Sequence, residues 1–250
     1  PVSVLVEGGT IREVGKAVSP AKAKVVDLKG KTLMPGLIDA HVHVVAGVAD
    51  LGRNAQLPDS LVTARSFVIM REMLMRGFTT VRDVGGADFG LKQATGEGHF
   101  PTPRLLISGK ALSQTGGHAD FRGRYDDTAT PLTRHRLGAL GRVCDGLDQV
   151  RRAAREEMKG GADFIKIMAN GGCASPTDPI HFLGFSVSEL EAIVEEARMA
   201  GTYVSAHVYT DEAIRRCVEA GVHSLEHCNL IEAETAKLAA SRGAVAVPTL

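Results

Sequence analysis

From Thr32 to the end of the chain, short apolar runs with strand character alternate with helical stretches. This alternation favours a parallel β-sheet covered by helices. The run Phe164–Met168 carries a single polar residue, as expected of a strand that helices bury on both faces. The predicted strands are Leu33–Val44, Thr79–Val84, Arg104–Ser108, Phe164–Met168, Tyr203–Val208, Ser224–His227 and Ala244–Pro248. The predicted helices are Leu61–Arg76, Asp148–Lys159, Ser188–Met199, Asp211–Ala220 and Ala233–Ser241.

The strand count and the placement of polar residues favour a closed barrel over an open, doubly wound sheet. Seven β units approach the eight of a (β/α)8 TIM barrel, and polar residues lie late in or just after most strands, where such barrels carry their active sites. We therefore predict an α/β barrel over residues 32–250 that stops before strand 8. The stretch Arg122–Arg142 is less regular and is predicted as an inserted loop over the active end.

Residues 1–31 differ from the rest of the sequence because they contain many turn residues and short stretches in which apolar residues alternate as in a strand. Val2–Val6 alternates like a strand, and Glu7–Thr10 is typical of a tight turn. Ile11–Val14 and Lys24–Leu28 are predicted as further strands. The segment is therefore predicted to be part of a small β domain that is distinct from the barrel.

The charge balance argues against nucleic acid and membranes as partners. Lys and Arg together number 29, as do Asp and Glu, and the chain has no Trp and few other aromatic residues. Such a chain has neither a basic field nor a base-stacking surface. No apolar run is long enough for a transmembrane helix, and four cysteines are too sparse for a disulfide scaffold. We expect a cytoplasmic protein, with secretion left open because the sequence begins at Pro1 and its native N-terminus is not seen.

Two histidines, His41 and His43, end the first predicted strand of the barrel. Side chains two residues apart on a strand point to the same face, so both imidazoles can bind one metal ion. An isolated pair of this kind also fits an exposed edge strand. Here, however, His207 and His227 end two later strands, and parallel strands place their carboxyl ends on the same side of a sheet. Four histidines at equivalent strand ends predict a metal centre.

Lys166 is the single polar residue in the apolar run of the fourth predicted strand. Burial removes hydration from a lysine ammonium and favours the neutral amine. One interpretation pairs Lys166 with a buried carboxylate such as that of Asp83. The other is that the neutral amine adds carbon dioxide and becomes a carbamate, an anionic bidentate ligand that can bridge two metal ions. With the histidines present, we favour the carbamate.

Several stretches resemble the amidohydrolase superfamily. Lys31–His43 resembles its first-strand signature, and Phe164–Lys166 resembles its carbamylated lysine on the fourth strand. His207 and His227 are similar to its histidines on the fifth and sixth strands. The β stretch before the signature resembles part of the small N-terminal β-sandwich of that superfamily. The resemblance implies a (β/α)8 hydrolase with two divalent metal ions, usually zinc.

The resemblance also implies a role for each residue at the site. His41 and His43 would bind one ion, His207 and His227 the other, and carbamylated Lys166 would bridge the two. A metal-bound hydroxide would then attack the substrate, because divalent metals lower the pKa of bound water towards neutrality.

Within the superfamily, the chain looks most like the Xaa-Pro dipeptidase and Xaa-Arg carboxypeptidase group, near imidazolonepropionase. The supporting stretches are Thr79–Gly86, Thr115–His118, Phe164–Gly172, His207–Thr210 and Ser224–Cys228. The likeness implies cleavage of an amide bond in a dipeptide or N-acyl amino acid of the Xaa-Pro or Xaa-Arg/Lys type. It also implies that His118 and Tyr209 contact the substrate. By residue type alone, Tyr209 equally fits packing at a strand end, and His118 fits a flexible glycine-rich loop.

The catalytic aspartate of the superfamily lies at the end of strand 8, which this sequence does not reach, so the fragment by itself lacks a general base. Asp39 and Asp83 do not occupy that position. The same metal ligands would serve hydrolysis of a cyclic amide, a lactone or a phosphotriester. Two other interpretations are a metal-free binding module, in which Lys166 is unmodified, and an inactive truncated barrel whose open edge favours homo-oligomers.

Overall fold

The computed structural model describes residues 2–16, 18, 23–128, 135–175 and 177–249. The chain divides into two units, Pro1–Gly36 and Leu37–Leu250. The sequence predicted a boundary between residues 31 and 32, whereas the structural division falls after Gly36, where the first strand of the second unit begins.

The first unit contains a β-hairpin. β1 (Ser3–Glu7) pairs with β2 (Thr10–Gly15) in antiparallel orientation. Gly8 and Gly9 connect the two strands with φ values of 56° and 76°. A two-residue turn with positive φ matches the right-handed twist of the strands, and glycine adopts it without steric cost.

The strand predicted at Lys24–Leu28 is wrong. These residues form no strand within the described part of the chain, and Val25 and Val26 are 70% and 68% exposed. Adjacent side chains point to opposite faces of a strand, so two neighbouring valines do not provide one apolar face that could pack on a sheet.

The second unit alternates strands and helices. Its strands are β3 (Leu37–Val42), β4 (Phe78–Asp83), β5 (Arg104–Ile107), β6 (Ala111–Ser113), β7 (Gly141–Val143), β8 (Ile165–Met168), β9 (Val204–Thr210), β10 (Ser224–Leu230) and β11 (Val245–Val247). Its helices are α1 (Leu51–Asn54), α2 (Asp59–Met75), α3 (Phe89–Gly96), α4 (Gly146–Lys159), α5 (Val187–Met199), α6 (Asp211–Ala220) and α7 (Ala233–Ser241). None of these helices combines the length and the apolar character that crossing a membrane requires.

The strands of the second unit pair in parallel. β3, β4 and β5 form one sheet in that order, and the other sheet has the order β11-β10-β9-β8-β6-β7. β5 and β6 are consecutive, with Gly109 at φ 67° between them, so one stretch of chain contributes to both sheets. The backbone N–H of Asp163, just before β8, donates to the carbonyl of Ile107 in β5 at 2.7 Å. The predicted α/β class with parallel strands is confirmed.

Each strand and helix predicted after residue 32 has a counterpart, with boundaries moved by a few residues. The strand predicted from Leu33 starts only at Leu37, where pairing with β4 begins. The loop predicted at Arg122–Arg142 is wrong at its end, because β7 begins at Gly141 and pairs with β6; residues 129–134 lie outside the described residues. β6 and β7 are each three residues long, which is too short to show the two-residue alternation by which a strand is recognised in a sequence.

Side-chain alternation along the strands separates an apolar layer from a polar one. On β8, Ile165 and Ile167 belong to a core cluster shared with α4, α5 and α6, and Lys166 between them points to the opposite side. On β9, Val208 belongs to the same cluster and His207 points away from it. A second apolar cluster packs α2 and α3 against β3, β4 and β5. Helix packing on one side of each strand therefore turns the predicted site residues to the other side.

Candidate active site

The four predicted histidine ligands come together, although only His41 and His43 lie at a strand end; β9 and β10 each continue three residues beyond His207 and His227. His41 lies on β3 with His43 just beyond it, His207 lies on β9, and His227 lies on β10. The ring centroids of His41 and His43 are 5.4 Å apart, those of His41 and His227 are 4.7 Å apart, and those of His207 and His227 are 4.8 Å apart. β9 and β10 are neighbours in one sheet, whereas β3 belongs to the other sheet. The site therefore joins the two sheets.

His118 and Tyr209, the predicted substrate contacts, flank these rings. His118 stacks on His207 with centroids 4.1 Å apart, and Tyr209 stacks on His227 with centroids 4.9 Å apart. Tyr209 also meets His207 edge-on at 4.8 Å. The structure thus brings both residues into the histidine cluster.

Lys166 lies on the same side of the sheet as this cluster and is buried. The residue is 1% exposed, and its Nζ atom has no hydrogen-bond partner among the described residues. Burial lowers the pKa of this amine to about 8, with the charge of Glu226 opposing the shift. The charge of Lys166 in turn lowers the pKa of each of the four histidines, which places the amine near all of them. The lowered pKa raises the share of the neutral amine, which is the form that reacts with carbon dioxide, although the ammonium is still the larger fraction at pH 7.

Asp83 is not the partner of Lys166. Its buried carboxylate accepts hydrogen bonds from the backbone N–H groups of Val44, Gly85 and Ala87 at 2.7, 3.0 and 3.2 Å. Burial raises the pKa of Asp83 to about 7, and these three donors oppose the shift. Asp83 thus holds the segment after β4 against the segment after β3.

Both histidines of the His41-Val42-His43 sequence are held through Nδ1. The Nδ1 atom of His41 lies 2.8 Å from Oε2 of Glu226, and that of His43 lies 3.0 Å from the carbonyl oxygen of Gly85. A ring whose Nδ1 donates a hydrogen bond keeps the lone pair of Nε2 for a ligand. The two side chains are therefore pre-oriented to bind through Nε2.

The other two histidines are held differently. The Nδ1 atom of His227 lies 2.5 Å from Oγ1 of Thr249, and the Nε2 atom of His207 lies 3.3 Å from the carbonyl oxygen of Gly171. Burial is the largest cause that lowers the pKa of all four histidines, to about 4 for His43 and about 3 for His227. The imidazoles are therefore neutral at pH 7, as metal ligation requires.

The backbone of His227 adopts a left-handed conformation. Its φ is 75°, and that of Cys228 is 55°, both unusual for residues other than glycine. Leu225 faces the helix-side core and the side chain of Glu226 faces His41, so regular alternation would turn His227 back towards the helices. The left-handed pair interrupts the pairing of β10 with β9 after His227 and places its imidazole against His41. Local strain of about 1–2 kcal/mol per residue is thus stored at the site.

The sequence predicted no role for Glu226, although it directly precedes His227 and is the one acidic residue of strand β10. It is fully buried, and Arg82 donates to it at 2.6 Å. Interactions with His41, Lys166 and Arg82 hold the pKa of Glu226 far below its usual range, against the effect of burial.

The sequence also missed the partner of His118. The Nδ1 atom of His118 lies 2.9 Å from Oδ2 of Asp178, a buried carboxylate that also accepts the backbone N–H of Gly172 at 3.1 Å. A Cβ atom at Gly172 would lie 2.1 Å from the His118 ring, so only glycine leaves room for this histidine. The two adjacent glycines at residues 171–172 were the sequence feature that could have indicated such close packing.

The donor set fits divalent metal ions. Neutral imidazoles bind zinc through nitrogen, and the unpartnered amine of Lys166 is the group that a carbamate would form on. Among the described residues, no three His, Cys, Asp or Glu side chains already converge on one point as metal ligands do. The rings instead pack against one another at 4.7–5.4 Å, so small rotations must accompany metal binding.

Comparisons with known proteins agree with this chemistry. The model of the amidohydrolase family matches residues 32–250. Ochratoxinase from Aspergillus niger is 36% identical over 231 residues, which cover 87% of this chain and 47% of that protein. The chain thus spans about half the length of the curated relatives it matches.

Two solved structures are also similar. A prolidase complexed with N-methylphosphonate-L-proline is 52% identical with a TM-score of 0.95, over 98% of this chain and 60% of that chain. A Xaa-Pro dipeptidase with methionine bound in its active site is 30% identical with a TM-score of 0.85, over 99% of this chain and 61% of that chain. The resemblance predicted from the sequence is confirmed.

Proposed function

Because this chain belongs to the amidohydrolase family, we propose that it is part of a metal-dependent hydrolase that cleaves the amide bond of a dipeptide or N-acyl amino acid. The expected substrates are of the Xaa-Pro or Xaa-Arg/Lys type. The observation that carries the proposal is the cluster of four imidazoles, one buried and three half-buried, beside the unpartnered amine of Lys166. Enzymes of this family are generally metal-dependent, and prolidase and Xaa-Pro dipeptidase structures resemble this chain.

We assign His41 and His43 to one divalent ion, His207 and His227 to a second, and Lys166 to a bridge between them. Zinc is the ion we expect, because imidazole nitrogen suits it. The neutral amine of Lys166 would form an N–C bond with carbon dioxide and release one proton, and the resulting carbamate would offer two oxygens. The metal ions, when bound, supply the nucleophile by lowering the pKa of water and polarise the scissile carbonyl.

We assign substrate binding to His118 and Tyr209. They stack on His207 and His227, so they border the metal ligands directly. The phenol O–H of Tyr209 can donate a hydrogen bond to a substrate carboxylate or to the oxyanion that develops on the carbonyl. The Nδ1–H of His118 is taken up by Asp178, so His118 would contact the substrate through Nε2, as an acceptor when the ring is neutral and as a donor only when it is protonated. Asp178 supports this role because its Oδ2 atom, 2.9 Å from Nδ1 of His118, keeps the ring in one orientation.

The family implies a (β/α)8 barrel. Within the described residues, β3 and β11 each pair on one side only, and they expose Ile38 and Val245 at 70% and 50%. We place an eighth strand between these two edges and the catalytic aspartate, acting as general base, at its end. Residues 1–31 would belong to a small β-sandwich domain.

The test uses protein expressed from its complete gene and purified with zinc and bicarbonate. Elemental analysis should find about two zinc ions per chain, as in other two-metal hydrolase sites. Xaa-Pro and Xaa-Arg dipeptides and N-acyl amino acids are then assayed beside a cyclic amide, a lactone and a phosphotriester. Cleavage of the open-chain amides supports the proposal. Cleavage of only the other three would keep the metal centre and replace the substrate class.

A pair of lysine variants sharpens this test. Lys166→Met should lower the metal content and abolish hydrolysis. Lys92→Met removes a lysine that pairs with Asp163 in a more exposed position, and it should change neither quantity. A folded protein that binds no metal, or a Lys166→Met variant with unchanged metal content and activity, would contradict the proposal.

A further inference from the structure

A buried ionic network adjoins the histidine cluster and has no part in the roles assigned above. At its centre is Glu226 on β10, which is fully buried and directly precedes His227. Its Oε2 atom lies 2.8 Å from Nδ1 of His41 on β3. Its Oε1 atom accepts a hydrogen bond from Arg82 on β4 at 2.6 Å. The carboxylate therefore links the two sheets at the level of the metal ligands.

Glu226 is held in place from several directions. The hydroxyls of Ser205 and Ser224 both donate to its Oε1 atom at 2.7 Å. Arg82 is itself fixed, because its Nε donates to the carbonyl of Ala40 at 2.6 Å and its guanidinium lies 5.1 Å from the centroid of the Phe164 ring. Such a network leaves the carboxylate little freedom to move.

The network also determines which nitrogen of His41 carries the proton. Arg82 can only donate, and a carboxylate paired with a guanidinium can only accept. The hydrogen bond between Glu226 and His41 therefore has its proton on Nδ1, and the lone pair of Nε2 remains for a ligand. For His43 the corresponding acceptor is the neutral carbonyl of Gly85. The two histidines next to each other in sequence thus have acceptors of different charge.

We propose that Glu226 is a positioning residue for metal binding by His41. It holds the ring by its Nδ1–H and, through its charge, makes Nε2 a stronger ligand than an imidazole bound to a neutral acceptor. Arg82 keeps Glu226 in position. The alternative is a purely structural role, in which Glu226 only neutralises Arg82 inside the protein; that role would lower stability on mutation and leave metal affinity unchanged.

The experiment compares Glu226→Gln with Glu196→Gln in protein expressed from its complete gene. Glu196 is also buried and accepts hydrogen bonds from Arg151 and Arg155, but it lies on α5 between helices. Zinc affinity is measured by competition with a chelator, and folding is checked by circular dichroism. We expect Glu226→Gln to weaken zinc binding about 10- to 100-fold and Glu196→Gln to leave it unchanged.

Because this role assumes the metal centre proposed above, the outcomes are separable. If the unsubstituted protein binds no zinc, the metal centre and the role of Glu226 fall together. If it binds zinc and folded Glu226→Gln binds it equally tightly, only the role of Glu226 falls.

A second measurement needs no variant and covers the case in which Glu226→Gln does not fold. In metal-free protein labelled with 15N, long-range proton–nitrogen spectra distinguish the two neutral tautomers of histidine. We expect His41 to carry its proton on Nδ1. A proton on Nε2 would overturn the proposal, because Glu226 would then have no hydrogen from His41 to accept.

Discussion

The ring centroids of His41 and His227 lie 4.7 Å apart, although the two residues belong to strands of different sheets near opposite ends of the second unit. This contact does not follow from strand pairing, since β3 pairs with β4, whereas β10 pairs with β9 and β11. The proximity requires the two sheets to curve towards each other. It also requires the left-handed backbone at His227, which turns this ring to the inner side. The metal centre proposed here thus depends on both features.

Two lysines, the buried Lys166 and the half-buried Lys110, should respond in opposite ways to the same substitution. In metal-free protein without bicarbonate, Lys166→Met removes an amine that has no partner among the described residues, so the free energy of unfolding should rise by about 1–3 kcal/mol. Lys110 donates to the carbonyl of Arg136 at 2.8 Å and to that of Leu137 at 3.3 Å. Lys110→Met removes these hydrogen bonds and should lower stability by about 1–3 kcal/mol. Urea unfolding measures both, and a loss of stability in Lys166→Met would contradict the prediction.

The left-handed conformation at Cys228 should tolerate a β-branched residue poorly. Cys228→Val places such a residue at φ 55°, which we expect to lower the free energy of unfolding by about 1–2 kcal/mol more than the matched Cys217→Val does. Cys217 is also buried, but it lies in helix α6 with ordinary backbone geometry. Equal losses in the two variants, measured by urea unfolding, would show that the conformation at Cys228 carries no strain.

His43 should make the metal-free protein less stable as the pH falls from about 6.5 to about 4. Burial lowers the pKa of His43 from its ordinary 6.5 to about 4, so in this range the unfolded chain binds a proton that the folded protein does not. The stability that His43 contributes is therefore complete above pH 6.5 and decreases as the pH falls through this window, whereas Asp83, whose pKa burial raises to about 7, acts in the opposite direction. The slope should become shallower in His43→Asn and stay the same in His99→Asn, which changes an exposed histidine. Urea unfolding at several pH values, with chelator present, checks this; identical slopes in the two variants would refute it.

Gly172 should be essential for activity and dispensable for metal binding. A methyl group at this position would meet the ring of His118 at 2.1 Å and displace it from its contact with Asp178. We expect Gly172→Ala to lower kcat/KM by about 100-fold, the typical cost of a misplaced substrate contact, with zinc content unchanged. Gly96→Ala is the control, because a Cβ there meets no atom within 4 Å and the position is helical. A Gly172→Ala variant as active as Gly96→Ala would argue against a substrate contact by His118.

Periodicity and residue type were sufficient to predict most of the second unit. The five predicted helices, such as Val187–Met199 with its capping box of Ser186 and Glu189, follow local rules and appear where predicted. The short helix α3 was not predicted, although Asp88 caps its N-terminus. Local rules failed at Lys24–Leu28, where β-branched residues lack a partner strand, and at β6 and β7, where the strands are too short to show a period.

By itself, the sequence identified the side chains of the candidate site, namely His41, His43, His207 and His227, and the lysine that lies in an apolar strand, Lys166. The tertiary structure alone decided how these groups are held. The carboxylate that orients His41 comes from Glu226 on a distant strand, and Asp83 turned out to hold backbone instead of pairing with Lys166. The alternation of side chains along a strand indicates only which face of the sheet a residue occupies. Hydrogen-bond partners and the left-handed turn at His227 depend on how two sheets and their loops pack, and that information is not local in the chain.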